Sequence, residues 1–375
     1  MRVLHVHSGN MYGGVETALA ALWRERGACP ALAPEFALCF EGRLSRELRE
    51  EGAAVHHLGA VRARSPLSVR RARRMLARLL GGGRYDAAIC HAPWAQAVFA
   101  PAARAAAVAQ VFWMHAPSAG RHWLERWARR HAPDLVVCNS RFTAASAPLL
   151  YPRAPAEVVR CPLTKMPGRL SPAERAAVRA ELDTPAGATV VIQAGRMESL
   201  KGQAEHLEAL GRLRDVEGWV CWQVGGAQQP SEVRHVELLK RSAVRLGIAG
   251  RVRFTGERAD VARLLGAADI YCQPNVRPDA FGLTFVEALV AGLPVVTTAF
   301  GGALEVVDDS CGVLVPPGDR SALASALRAL IDGTELRAEL GARGPRRASA
   351  LCDPSAQMQR LHGLLGRLAG REVAA

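Results

Sequence analysis

Lysine is scarce in this chain: Lys165, Lys201 and Lys240 stand against 45 arginines in 375 residues. Where such a composition keeps a lysine, a compact point charge suits the place better than a planar fork. Aromatics make up only 5% of the residues, so any core is aliphatic and alanine-rich. The interleaved aromatics of a base-stacking platform are missing as well. No run of 18 apolar residues occurs, which argues against a spanning helix. The nine cysteines stand singly, without a C-x-x-C pair. That excludes a zinc ribbon or a disulfide framework and fits a reducing compartment. The start, MRVLHVHSGN, lacks the long apolar stretch of a signal peptide, so the expected location is cytoplasmic. No D-x-D pair stands ready to hold a metal beside a diphosphate, and no H-E-x-x-H, Walker loop or G-x-S-x-G occurs.

The net charge of +13 is unevenly placed. Residues 1–165 hold 23 Lys+Arg against 11 Asp+Glu, a balance of +12, while residues 166–375 hold 25 against 24. A basic half attracts nucleic acid, anionic membrane or anionic substrates. Its densest cluster is Arg62, Arg64, Arg70, Arg71, Arg73, Arg74 and Arg78. The same cluster reads equally well as one solvated, arginine-rich helix.

Short apolar runs alternate with helix-length segments from the start. Val3–His7, Phe36–Phe40, Val55–Leu58, Ala87–His91, Val108–His115, Leu135–Asn139 and Val158–Cys161 predict strands. A stretch rich in proline and glycine, 162–187, interrupts the pattern and predicts a domain connection with one short helix. Strands then resume at Val190–Ala194, Trp219–Val224, Val252–Thr255, Ile270–Gln273, Val295–Thr298 and Val313–Val315. Such alternation predicts an α/β protein of two doubly wound, Rossmann-like domains, with ligands at the C-terminal ends of the strands.

Several residues stand where those ends fall. Gly9, Gly13 and Gly14 form a glycine-rich loop before a helix at Val15, close enough in kind to approach a phosphate. Glycine turns also end many strands with no ligand present. Arg196 and Lys201 lie five apart just past a strand and can clamp a diphosphate; the bland alternative is a pair of solvated charges. DAFGLTFVEALVAGLPVVTTAFGG, from Asp279 to Gly302, sets two acids around a Phe281-Gly282 turn. Carboxylates suit sugar hydroxyls, and the N–H groups of a helix start suit a phosphate. Asp279 is also explained as an acid offsetting a helix dipole. Glu287 is not, since it lies further in, amid Phe285, Val286, Ala288 and Leu289, where an acid needs a partner. His115 ends a strand in VFWMHAPSAG; it points to a ligand or is a satisfied structural histidine.

In this order the residues resemble the retaining glycosyltransferases of family four, which have the two-domain GT-B fold. The resemblance is carried by Gly13-Gly14-Val15-Glu16, His115, Asn139-Ser140-Arg141, Gly195-Arg196 with Lys201-Gly202, and Asp279 to Gly302. It implies an acceptor-binding domain over 1–165, a linker over 166–187 and a nucleotide-sugar-binding domain over 188–354. It further implies a central cleft and a C-terminal helix and tail, 355–375, that cross back to the first domain. Arg196 and Lys201 would bind the donor diphosphate and neutralise the leaving group without a metal. Glu287 would hold the ribose hydroxyls, and Asp279 the hydroxyls of the sugar, helped by backbone N–H groups of Phe281, Gly282 and Leu283. His115 would face the sugar, and Gly13 and Gly14 would pass close to the donor phosphate.

The family's commonest pattern has glutamate where this chain has Asp279, which sets the carboxylate back by about 1.5 Å, one C–C bond. The reaction implied is retaining, metal-independent transfer of a hexose-type sugar from a UDP- or GDP-linked donor. The acceptor would be a saccharide, a lipid-linked compound or a small molecule. No separate cofactor is expected. Two alternatives are a related GT-B enzyme, an epimerase or a phosphorylase (the phosphorylase disfavoured by the shortage of lysines for pyridoxal phosphate), and a basic binding protein. No nucleic-acid partner is expected; contact with anionic membrane through the basic first domain is.

Overall fold

The computed structural model describes residues 1–83, 85–164 and 168–370. Lys165, at the end of the expected first domain, lies outside the described residues. The chain divides into two compact units, Met1–Thr164 with Cys352–Ala375, and Lys165–Leu351.

The first unit is built on seven parallel strands: β1 (Arg2–His7), β2 (Ala33–Leu38), β3 (Val55–His57), β4 (Ala87–His91), β5 (Ala109–Met114), β6 (Leu135–Cys138) and β7 (Ala156–Val158). Their order is β3-β2-β1-β4-β5-β6-β7, so the chain winds outward from β1 in both directions. Six helices accompany them: α1 (Gly14–Arg24), α2 (Arg43–Glu50), α3 (Pro66–Gly83), α4 (Ala92–Ala105), α5 (Trp123–Ala128) and α6 (Arg141–Leu150).

Side chains alternate between the two faces of a strand. Val3, Phe36, Ile89, Val111 and Trp113 therefore join one core with Leu19 and Leu22 of α1. Leu4, Val6, Ala88 and Cys90 join the other, with Leu76 of α3 and Phe99 of α4. In α3 the buried residues Val69, Ala72, Leu76 and Leu80 follow helical spacing, which leaves Arg70, Arg71, Arg74 and Arg78 exposed. Arg73 is turned inward and donates to the carbonyls of Val98 and Ala97. Some boundaries differ from the sequence pattern: β2 spans Ala33–Leu38 rather than Phe36–Phe40, and β7 spans Ala156–Val158, stopping at Val158 although Val159 and Cys161 are buried. The Val159 amide still donates to the Cys138 carbonyl at 2.9 Å, and the Arg160 amide, which faces away from β6, is taken by Gln357 Oε1 at 2.9 Å.

The second unit opens with α7 (Pro172–Glu181) and has six parallel strands: β8 (Thr189–Ala194), β9 (Trp219–Val224), β10 (Val252–Gly256), β11 (Ile270–Gln273), β12 (Val295–Thr298) and β13 (Gly312–Val315). Their order is β10-β9-β8-β11-β12-β13. The helices between and after them are α8 (Gln203–Gly211), α9 (Pro230–Arg245), α10 (Val261–Ala267), α11 (Leu283–Val290), α12 (Ala303–Val306), α13 (Arg320–Asp332) and α14 (Thr334–Cys352). Every residue of β8 is buried, as a central strand covered on both faces requires. Asp269 ties the connecting helix α7 to this unit by accepting from Arg175, Arg179 and the Val190 amide.

The last helix, α15 (Pro354–Leu368), returns to the first unit. Its Met358, Leu361, Leu364 and Leu365 are buried in the same core as Val3, Leu19 and Trp113. The expected crossing back of the C-terminal helix is therefore present. Among the described residues no helix is long and apolar enough to cross a membrane.

Candidate functional site

In the second unit the site begins where β8 ends. Two buried glutamines shape the loop that follows: Gln193 donates to the Lys201 carbonyl at 2.8 Å and Gln203 to the Arg196 carbonyl at 3.1 Å. Gly202 then opens α8 with φ +74°. A Cβ on Gly202 would lie 1.8 Å from the carbonyl oxygen of Pro274. Only glycine lets α8 start so close to the chain after β11.

This frame presents Arg196 and Lys201. The Lys201 ammonium meets Asp279 Oδ2 at 2.6 Å. Arg196 is bound by Glu232 and lies 3.2 Å from Glu198. Its Nε is buried with no partner among the described residues, so one charged donor is left over for a ligand. Burial pushes the Glu232 carboxyl up, but the Gln228 amide at 2.6 Å and Arg196 outweigh it and hold the carboxyl below its usual range. Both cations are thus neutralised by acids of the same unit, and an incoming anion competes with those acids.

The stretch from Asp279 to Gly302 forms the adjoining wall. Gly282 has φ +90°, and a Cβ there would overlap the Phe285 ring. The first-turn amides of Leu283 and Thr284 have no carbonyl within α11 to bond. Phe281 is buried and anchors the turn. Gly302, at the far end, donates to the Asp279 carbonyl at 2.8 Å. The motif therefore closes back on its own start.

Glu287 sits in the second turn of α11 among buried Phe285, Val286, Ala288 and Leu289. It is half-buried, and burial pushes its carboxyl up to about 7. This has a thermodynamic sign. Between pH 4.5 and about 7 the unfolded chain has released this proton and the folded chain holds it, so stability falls as pH rises through that window. Glu287→Gln is expected to be more stable than the parent at pH 8 and to lose that advantage near pH 5. Urea titrations at the two pH values test this; an equal difference at both would refute the burial argument.

In the first unit Gly13 caps α1 and Gly14 is its exposed first residue. Glu16 receives the Gly13 amide at 2.9 Å and also contacts His7 Nε2 at 2.7 Å. Asn139 donates to the His115 carbonyl at 3.2 Å, fixing the chain past β5. The structure brings Lys201 and Asp279 together, and holds Arg196, Phe281, Gly282, Leu283 and Glu287 in the same unit. His115, Gly13 and Gly14 belong to the other. Four partners were not singled out in the sequence: Glu198, Glu232, Gln193 and Gln203. Glu198 lies inside the basic motif and Gln203 just after it, where local spacing can show them. Glu232 lies 36 residues from Arg196, and no local spacing reveals it.

Residues 174–347 match the family model described as glycosyl transferases group 1, and residues 12–163 match glycosyltransferase family 4. A D-inositol 3-phosphate glycosyltransferase of Saccharomonospora viridis is 36% identical over 224 residues, covering 57% of this chain and 51% of that protein. A lipopolysaccharide core biosynthesis glycosyltransferase of Rhizobium meliloti is 33% identical over 167 residues, covering 44% and 46%. This chain spans about half the length of these curated relatives. Among solved structures, Anabaena HepE in complex with UDP and glucose superposes with a TM-score of 0.84 at 25% identity, covering 98% of this chain and 99% of that one. WaaG, involved in lipopolysaccharide biosynthesis, shares the fold with a TM-score of 0.70 at 16% identity, covering 97% and 99%. With its two Rossmann-like units, its returning last helix and these matches over most of its length, the chain belongs to family four of the GT-B glycosyltransferases, enzymes that transfer sugars.

Proposed function

We propose that this protein transfers a hexose-type sugar from a nucleoside diphosphate sugar, UDP- or GDP-linked, with retention of configuration and without a metal. The observation that carries the reading is the β8–α8 loop: Arg196, with an unpartnered buried Nε, and Lys201, held against Asp279, on a glycine-framed turn. HepE, solved with UDP and glucose, supports the choice of donor class.

In this reading Arg196 and Lys201 take the diphosphate and neutralise the charge that grows on it as the C1–O bond breaks. Asp279, released from Lys201, accepts from sugar hydroxyls beside the amides of Phe281, Gly282 and Leu283. Glu287 accepts from the ribose hydroxyls. His115 meets the sugar, and Gly13 and Gly14 allow the donor phosphate a close approach. The acceptor oxygen bonds to C1 on the face the leaving group departs from, and its proton passes to the departing phosphate oxygen. The acceptor is a saccharide, a lipid-linked compound or a small molecule.

The test is a screen of nucleotide sugars without acceptor, read as release of the nucleoside diphosphate. Slow hydrolysis of one UDP- or GDP-sugar, with the freed sugar first appearing in the donor's anomeric form, is the expected result. No turnover of any donor, and no thermal stabilisation by UDP or GDP, would refute the reading.

We also propose a cytoplasmic, peripheral protein whose first unit rests on anionic lipid. Arg70, Arg71, Arg74 and Arg78 on the exposed face of α3 supply the charge. Retention on phosphatidylserine vesicles at low salt is expected, with loss on Arg70→Glu/Arg74→Glu substitution. Equal retention on neutral vesicles would sink it.

A further inference from the structure

Four histidines gather on one face of the first sheet, at the C-terminal ends of β1, β4 and β5. They extend the row that Val3, Ile89 and Trp113 begin lower down. His5, His91 and His115 are linked ring to ring. His5 Nδ1 lies 2.9 Å from His91 Nε2, and His91 Nδ1 lies 2.8 Å from His115 Nε2. Trp113 stacks on His91 at 24° and on His115 at 8°, which keeps the outer rings aligned.

A hydrogen bond between two imidazole nitrogens needs one donor and one acceptor, so each ring's tautomer dictates its neighbour's. The three rings are neutral: burial pulls His5 and His115 down to about 3 and holds His91 well below its ordinary value. A neutral chain of three has two ordered arrangements. In the first every proton sits on Nδ1, and His115 turns an N–H away from the chain. In the second every proton sits on Nε2, and His115 offers a lone pair instead.

The inner end selects between them. His5 Nε2 is buried with no partner among the described residues. The second arrangement would bury an orphaned N–H there, whereas the first leaves a lone pair. Orphaned buried N–H groups are the rarer of the two, and each unmade donor bond carries its full desolvation cost. His7 does not interrupt the chain: Glu16 engages its Nε2, and its ring meets His91 edge-on at 84°. At the outer end His115 is only half-buried, and its Nδ1 has no partner among the described residues.

We propose that His5 and His91 are positioning residues that lock His115 in the Nδ1–H tautomer, making it a hydrogen-bond donor at the edge of the sheet. His115 then donates to an oxygen of the substrate and does not take a proton from it. The identity of that oxygen, a sugar hydroxyl, rests on the transferase reading above; the direction of the chain does not.

The experiment is a long-range proton–nitrogen correlation spectrum of the full chain with ¹⁵N-labelled histidine, assigned through His115→Gln. The parent is expected to show His115 with a protonated Nδ1 and an unprotonated Nε2. In His91→Leu the ring should relax toward the Nε2–H form that free imidazole side chains prefer. Donor turnover should fall about tenfold in kcat, the size of one hydrogen bond, with UDP affinity by calorimetry unchanged. His91→Gln, whose amide can accept and donate at once, should recover part of the loss. Should His91→Leu fail to fold, His5→Phe, which keeps a ring against Phe36, removes the inner donor instead. An Nε2–H His115 in the parent, or the same tautomer in the parent and in these variants, overturns the proposal. A parent that binds no UDP sinks the transferase reading, while the spectrum still decides the tautomer.

Discussion

Lys201→Ala is expected to lower kcat/KM for the donor by about 10²–10³-fold, roughly 3–4 kcal/mol of transition-state stabilisation. It should also abolish the thermal stabilisation that a saturating nucleoside diphosphate gives the parent. Two effects add. The ammonium that would meet the diphosphate is gone, and the Asp279 carboxylate it covered at 2.6 Å is left bare beside an anion. The cost to the fold itself is about 1–3 kcal/mol, because the two side chains are only 21% and 15% exposed and Asp279 is left without its cation. Loss of the nucleotide-induced rise, read from the variant's own melting temperature, is therefore the signature. Lys201→Arg should restore the charge without the activity, since a planar fork on a different stem cannot take the place of a point charge at this turn. Lys201→Ala/Asp279→Ala should bind the nucleotide better than Lys201→Ala alone. An alanine variant that still gains several degrees with UDP would rule out Lys201 as the diphosphate cation.

Gly202→Ala is the larger structural effect. The backbone there is left-handed at φ +74°, which costs a residue with a Cβ about 1–2 kcal/mol. The new Cβ would also lie 1.8 Å from the Pro274 carbonyl oxygen, a backbone atom that no rotamer change can clear. Overpacking of this kind adds about 1–3 kcal/mol, so a loss of about 3 kcal/mol or more is expected from urea titration. Any folded fraction should have Lys201 displaced and donor turnover reduced. Gly187→Ala, also at a left-handed glycine (φ +79°) but in open space, separates the two causes. It should cost only the backbone part. Equal losses in the two variants would remove the close contact from the explanation.

Much of this architecture is legible in the sequence because parallel strands buried on both faces are written as short apolar runs. β4, β8, β9, β11 and β12 follow such runs closely. The failure at β7 is instructive. Val159 and Cys161 look like strand and are buried like strand, but past Val159 the chain leaves the ladder and turns its Arg160 amide to Gln357, almost two hundred residues on. Site residues held by local geometry were equally readable: Gly202, Gly282 and Lys201 announce a tight turn and a charge. Residues defined by distant partners were not. Glu232 looks like any helix-start acid until β9 and α9 bring it to Arg196. His5 and His91 look like polar interruptions in two separate strands. Only the order β1-β4-β5 places them side by side with His115.

The return of α15 also sets an order of assembly during synthesis. The second unit, residues 165–351, is contiguous and can close as soon as it leaves the ribosome. The first unit starts emerging earlier but lacks part of its interior until Met358, Leu361, Leu364 and Leu365 arrive. Until then the apolar row around Val3, Leu19 and Trp113 faces water, a surface that chaperones hold and that aggregates when they do not. A nascent chain stalled before Pro354 therefore carries a finished second unit and an unfinished first one. The domain made first is the domain completed last.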